Sequence, residues 1–154
     1  MPIMRPPSRM SCWNYRVKEI IKVVDGDTAD FLLDLGFNLT IKQRVRLAGI
    51  DTPEKRTRDL EEKKLGMEAT SWLEEKIADA LISGYGLTIR TQLDKGATGK
   101  YGRLLGWIYV DDVAVSLNEQ MIAEGYAWSY VGGAKQKDFE ELRKIRRAKG
   151  TLVE

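Results

Sequence analysis

Two short acidic segments hold the side chains best suited to chemistry. Asp27 lies in DGDT, a segment with the composition of a tight turn. Asp51, Thr52 and Glu54 stand at the end of RLAGIDTPEK, directly after an apolar run. Pro53 fixes its own φ and favours an extended Thr52, which could aim the Thr52 carbonyl at a ligand. Oxygen atoms of this kind bind hard cations, and Ca²⁺ takes about 6–8 of them. If the segments meet, they predict a cation site.

Two arginines could supply positive charge beside such a site. Arg46 lies on the polar face of the strand predicted before Asp51, and Arg103 follows GKYG at the start of another strand. A guanidinium group binds phosphate oxygens through two parallel hydrogen bonds, which suits a reaction at phosphorus. Each feature also has a purely structural explanation. Asp27 could serve only its turn, and either arginine could lie on a solvated strand face.

The elements that must position these residues are predicted from periodicity. Alternating patterns predict strands before DGDT, in TADFLLDLGF and in LTIKQRVRLAGI, where Lys42, Arg44 and Arg46 share one basic face. The doubled Ile20 and Ile21 indicates a β-bulge in the first strand. Two further strands are predicted in LTIRTQL and RLLGWIYV, and helices in KKLGMEATSWLEEKIADALI, SLNEQMIAEG and KDFEELRKIRRAKG. This arrangement is compatible with a small barrel of the OB type and also with another α+β fold.

Composition narrows the classes of protein further. The chain has 154 residues, which favours one domain, and 25 basic against 23 acidic residues, so any basic surface must be local. Histidine is absent, which excludes Ser-His triads and imidazole metal sites, and the single Cys12 excludes an intrachain disulfide. We expect residues 1–14 to form a flexible N-terminal arm and residues 15–154 to form the domain. No apolar run approaches the ~18 residues of a membrane span.

The compartment is left open, with a cytoplasmic leaning. The opening segment MPIMRPPSRMSCWNY lacks the apolar core of about 7–15 residues that a secretory signal contains. A mature secreted form is the alternative.

Taken together, the segments resemble the thermonuclease family, the staphylococcal nuclease-like domains. The matching stretches are VVDGDTADF, VRLAGIDTPE, GKYGRLLGWIYV and LNEQMIAEGYAW, in the order of the family. The resemblance implies an α+β fold, a five-stranded OB-fold barrel with about three helices. It also implies a Ca²⁺-dependent nuclease that hydrolyses DNA and RNA by attack of water on phosphorus and leaves 3′-phosphate ends. We expect a monomer that prefers single strands and has no membrane partner.

The resemblance also implies roles for individual residues at the proposed cation. Asp27 and Asp51 correspond to carboxylate ligands of Ca²⁺, and Thr52 to the residue that lends its backbone carbonyl. Glu54 corresponds to the residue that orients or deprotonates the attacking water.

Further roles concern the substrate. Arg46 and Arg103 correspond to the pair that neutralises the reacting phosphate. Lys100 and Tyr101 correspond to contacts with a neighbouring phosphate. Tyr130 could match a tyrosine that stacks on a nucleotide, and an ordinary core or surface aromatic is the alternative for that position.

Two other classes of function compete with a nuclease. One is a catalytically silent OB-fold module that only binds nucleic acid, and the other is a structural Ca²⁺-binding domain. The first is disfavoured because the acidic residues and both arginines are present together. The second leaves Arg46 and Arg103 unexplained.

Overall fold

The computed structural model describes residues 3–8, 12–92, 103–134 and 137–153. In chain order its elements are β1 (Cys12–Asp25), β2 (Thr28–Gly36), β3 (Leu39–Leu47), β4 (Ile50–Asp51), α1 (Leu60–Ile82), β5 (Leu87–Gln92), β6 (Leu104–Val110), α2 (Leu117–Ala123), β7 (Trp128–Ser129) and α3 (Phe139–Lys149). Within these ranges no helix has both the length and the apolar character needed to cross a membrane.

Five of the strands close into a barrel in the order β1-β2-β3-β6-β5, with β5 pairing back to β1. All neighbours are antiparallel except β3 and β6, which run parallel. The two short strands β4 and β7 form a separate antiparallel pair. The predicted fold class, an α+β fold with a five-stranded OB-type barrel and three helices, is confirmed.

Strand β1 is irregular along its pairing with β2. Its register against β2 shifts at three places, one of them between Ile20 and Lys22, so the predicted bulge is confirmed at Ile21. Bulges increase the local twist of a strand, which helps a sheet to close on itself. Because β1 begins at Cys12, it starts within the segment expected to be an arm, and the division at residue 15 stays a prediction.

The core fills the barrel and extends to the inner face of α1. Phe31, Val45 and Ile108 are fully buried inside the barrel, and Leu73 and Ile77 of α1 join the same cluster. Helix α1 begins three residues earlier than the apolar pattern predicts, because the Asp59 side chain caps it. An oxygen that accepts from the first free N–H groups stabilises a helix start by roughly 1 kcal/mol.

The β2–β3 hairpin extends beyond this core. Leu35, Leu39 and Ile41 share the inward side of their strands, yet 43%, 60% and 45% of their surfaces are exposed. The turn between the strands has positive φ at Phe37 and Asn38, as a tight hairpin turn requires. The alternating pattern therefore predicts these two strands correctly but not where the barrel stops covering them.

Candidate functional site

One rim of the barrel contains a cavity of about 350 Å³ that gathers the predicted site residues. Its lining consists of Asp25, Asp27, Thr28, Arg46, Asp51, Thr52, Pro53, Glu54, Arg103 and Tyr130. Seven of the nine residues singled out in the sequence are therefore brought together. The other two, Lys100 and Tyr101, lie outside the described residues.

Backbone pairing explains why distant segments meet at this rim. The Leu47 N–H donates to the Asp27 carbonyl at 2.8 Å, which ties the DGDT turn to the end of β3. Arg46 is paired with Leu105 in the parallel ladder of β3 and β6, so Arg103, just before β6, arrives beside it. The β4–β7 pair brings Tyr130 to the same rim, where its N–H donates to the Gly49 carbonyl at 2.9 Å.

Arg46 lies between two carboxylates. Its Nη2 atom is 3.6 Å from Asp27 Oδ2 and 3.6 Å from Asp51 Oδ1, and its Nη1 atom donates to the Leu47 carbonyl at 2.8 Å. The three side chains are only 11–13% exposed. Away from bulk water the two negative charges would repel each other strongly, and the guanidinium group between them offsets that repulsion.

Hydrogen bonds from two threonines fix the direction of both carboxylates. Thr28 Oγ1 donates to Asp27 Oδ1 at 3.0 Å, and Thr52 Oγ1 donates to Asp27 Oδ2 at 3.2 Å. The Thr52 N–H donates to Asp51 Oδ1 at 3.1 Å. Thr52 thus contacts both acidic residues, so the geometry of the pair depends on it.

The donor atoms at this rim fit a hard cation. They are the carboxylate oxygens of Asp27 and Asp51 and the backbone carbonyl oxygen of Thr52, which are ligands of the kind that Ca²⁺ prefers. Among the residues that the structure describes, no three cysteine, aspartate or glutamate side chains are grouped closely enough to hold a metal ion alone. Glu54 lines the cavity without completing a three-carboxylate cluster with Asp27 and Asp51.

Helix α1 supports the loops that carry the acidic residues. Glu62 accepts a hydrogen bond from the Glu54 N–H at 3.1 Å. A Cβ atom at Gly66 would lie 2.7 Å from the Glu54 backbone, and one at Gly26 would lie 2.8 Å from Ala69 Cβ. Sequence reasoning missed these supporting residues. The available signals were a glutamate three residues after the Asp59 cap and a glycine inside a helix, where it is intrinsically unfavourable.

The predicted basic face of β3 is divided between two environments. Arg46 enters the cavity, whereas Arg44 forms a two-pronged ion pair with Asp30, at 2.8 Å and 3.0 Å. The hydrogen bond from Arg44 holds the pKa of the Asp30 carboxyl below its ordinary value, although burial opposes the effect. Lys42 is exposed on the same face.

Comparison with known proteins identifies the family. Residues 44–151 match the family described as staphylococcal nuclease homologue. The chain is 33% identical over 146 residues to Protein ParB of Escherichia coli, covering 88% of this chain and 69% of that protein. It is 30% identical over 148 residues to the uncharacterized protein MJ1439 of Methanocaldococcus jannaschii, with coverage of 88% and 69%. An uncharacterized endonuclease of Escherichia coli is 29% identical over 111 residues, with coverage of 72% and 59%.

The fold is that of a small nuclease domain. The chain belongs to the staphylococcal nuclease homologues, and the predicted membership of the thermonuclease family is confirmed.

Proposed function

We propose that this chain is a Ca²⁺-dependent nuclease that hydrolyses phosphodiester bonds of DNA and RNA, with water attacking phosphorus and 3′-phosphate ends as products. The observation that supports this most strongly is the position of Arg46 between Asp27 and Asp51. Glu54 and Arg103 line the same cavity, so acidic and guanidinium groups face one space. A phosphate diester beside a cation would meet both kinds of group there.

Asp27 and Asp51, with the Thr52 carbonyl, would hold the cation. A bound Ca²⁺ ion would polarise a phosphate oxygen and a nearby water. The hydrogen bonds from Thr28 and Thr52 keep the carboxylate oxygens aimed before any ligand arrives. Such preorganisation is valuable because the site spends little free energy on reordering when charge develops.

Arg46 and Arg103 would bind the reacting phosphate. The Arg46 guanidinium group carries five N–H donors, and its contacts with Asp27 and Asp51 at 3.6 Å are too long for ordinary hydrogen bonds. The Arg46 N–H groups that point at these carboxylates can therefore donate hydrogen bonds to phosphate oxygens. Positive charge fixed here favours the transition state, in which negative charge gathers on the oxygens around phosphorus.

Glu54 would act on the water. Its exposed side chain at the cavity can accept a proton from the water as the new phosphorus–oxygen bond forms. The bond from phosphorus to the 5′ oxygen then breaks, and the departing oxygen takes a proton from solvent. The products are a 3′-phosphate and a 5′-hydroxyl end.

The rest of the substrate would extend over the rim. Tyr130 is anchored there because its hydroxyl donates to the Gly133 carbonyl at 3.0 Å, and its ring is suited to stack on a base. Stacking on an aromatic ring is worth about 1–3 kcal/mol per base and needs an unpaired base, which favours single strands. The phosphate contacts of Lys100 and Tyr101, the monomeric state and the cytoplasmic leaning stay predictions.

A cleavage assay tests the proposed function directly. Single-stranded DNA and RNA oligonucleotides labelled at the 5′ end are incubated with the purified chain, with Ca²⁺ or with excess chelator. We expect cleavage only with Ca²⁺, and products whose gel mobility changes when a phosphatase removes the 3′-phosphate. Binding without cleavage in Ca²⁺, Mg²⁺ or Mn²⁺ would contradict a nuclease and favour the silent binding module.

A further inference from the structure

The first turn of α1 contains a buried acid that the proposed mechanism does not use. Glu62 is only 3% exposed. Carboxylates are seldom fully buried unless they have partners, because losing water costs several kcal/mol. Among the described residues, the Glu54 N–H lies 3.1 Å from Glu62 Oε2, and Lys137 Nζ lies 3.9 Å from Glu62 Oε1. One side of this acid therefore faces the backbone of a candidate site residue.

Capping of the helix does not explain Glu62. A glutamate at this position commonly bonds back to the N–H of the cap residue. Here the Asp59 N–H donates instead to Thr57 Oγ1 at 3.2 Å. The Asp59 side chain accepts from the N–H groups of Glu61 and Glu62, at 3.0 Å and 3.2 Å. Since the start of α1 is already capped, the Glu62 carboxylate is available for the loop.

Gly66 makes the second contact with that loop. It lies one helical turn after Glu62, so both residues are on the same side of α1. A side chain at Gly66 would overlap the Glu54 carbonyl group and the Pro53 carbonyl oxygen, each 2.7 Å from the added Cβ. The backbone at Glu54 is thus held by a hydrogen bond at one point and by close packing at another.

We propose that Glu62 is a positioning residue, which holds the Glu54 side chain at the cavity by accepting the Glu54 N–H. This inference rests on the proposed function, in which Glu54 acts on the attacking water. Reacting groups must be positioned accurately, because a displacement of about 1 Å can lower the rate about 10²-fold. Helix α1 meets the Glu54 backbone at its N–H and beside its carbonyl group, so the helix sets the position from which the Glu54 side chain reaches the cavity.

The kinetic test compares two variants of Glu62 with a control. Glu62→Ala removes the acceptor, and we expect kcat to fall about 10–100-fold while KM changes less than about twofold. Glu62→Gln keeps an oxygen that can accept the same N–H, and should restore kcat to within about threefold of the parent. Glu74→Gln, on an exposed position of α1, should have no effect.

A double-mutant cycle shows whether Glu62 acts through Glu54. In a Glu54→Gln background, Glu62→Ala should cause no further loss, because the group that it positions is already disabled. An equal loss in both backgrounds, or full kcat in Glu62→Ala, would overturn the proposal.

Amide hydrogen exchange measures the contact without any activity. The Glu54 amide should be protected in the parent and in Glu62→Gln but exchange freely in Glu62→Ala, with the amides of Leu73 and Ile77 unchanged. Unchanged Glu54 protection in Glu62→Ala would refute the role of Glu62. A parent chain that cleaves nothing would refute the proposed function, and this measurement would still test the contact.

Gly66→Ala offers an independent route if Glu62→Ala does not fold. Its methyl group must displace the Glu54 backbone, so kcat should fall with little change in KM even though alanine favours the helix. Parental kcat in a folded Gly66→Ala protein would contradict positioning of Glu54 by α1.

Discussion

Arg44 and Arg46 share one face of β3 but differ in how closely acidic side chains bind them. Arg44 lies directly across from Asp30 on β2, and the two side chains close into an ion pair at 2.8 Å and 3.0 Å. Arg46 lies across from Thr28, and its acidic neighbours come from the turn after β1 and from β4. Those carboxylates stop at 3.6 Å from its Nη2 atom. Arg44, opposite an acid, is therefore held in an ion pair. Arg46, opposite a threonine, keeps N–H donors that can bind a ligand.

The two arginines also differ in exposure. The Arg44 side chain is 53% exposed, so water and salt screen its pairing with Asp30 and limit its contribution to stability. The Arg46 side chain is 13% exposed, where charges interact more strongly. We therefore expect changes around Arg46 to act on catalysis, and changes around Arg44 to act on stability.

The largest expected effect follows from removing an acid beside Arg46, and removal of the acid beside Arg44 is the matched control. Asp27→Asn or Asp51→Asn removes a charged oxygen ligand, and loss of a metal's charge stabilisation costs several kcal/mol, or about 10³-fold in rate. Asp30→Asn should retain the rate within about threefold, because Asp30 faces Arg44. Cleavage rates at saturating Ca²⁺ and Ca²⁺ titration by calorimetry check this. Parental cleavage by Asp27→Asn would show that the assigned cation site is wrong.

An intermediate effect on kcat is expected from replacing an arginine of the site with lysine. Arg46→Lys and Arg103→Lys keep the positive charge but lose the planar fork, and one such donor in the transition state is typically worth ~10²–10³ in kcat. The matched change Arg44→Lys should leave kcat within about threefold. Measuring kcat and KM separately decides the matter. An effect of Arg103→Lys on KM alone would make Arg103 a substrate-binding residue.

The smallest expected effect concerns stability and pH. Because the hydrogen bond from Arg44 lowers the pKa of Asp30, the folded protein binds that proton less readily than the unfolded chain does. The ion pair therefore stabilises the fold fully above the unfolded pKa of about 3.9, and this contribution is lost as pH falls through the lowered folded value. Urea unfolding should separate the parent from Arg44→Ala at about pH 6 and converge well below pH 3.9. An equal gap at both pH values would contradict this linkage.

The sequence predicts much of this molecule because local pattern and local chemistry agree. The alternation of apolar and polar residues predicts the five barrel strands, and the composition of DGDT predicts the turn after β1. The doubled isoleucine marks the bulge at Ile21. The segments around Asp27, Asp51 and Arg103 identify the family, and the structure gathers them at one cavity. Their individual roles stay predictions.

The remaining features depend on register and packing between segments far apart in the chain. Sequence spacing places Arg44 and Arg46 on one face but does not reveal that Asp30 faces only the first. The spacing of Glu62 from Asp59 suggests a helix cap but does not reveal its partner, which is a backbone N–H eight residues earlier on a folded loop. The exposure of Leu39 depends on where the barrel ends, which no local pattern contains.

The order in which the chain is made has a consequence for the site. Asp27, Arg46 and Asp51 are synthesised early, but Arg103 reaches them only when β6 pairs with β3, and Tyr130 only when β7 pairs with β4. A nascent chain emerging from the ribosome therefore carries both carboxylates of the site before Arg103 and Tyr130 can join them. We expect such a chain to cleave no nucleic acid until β6 and β7 have left the exit tunnel and the barrel has closed.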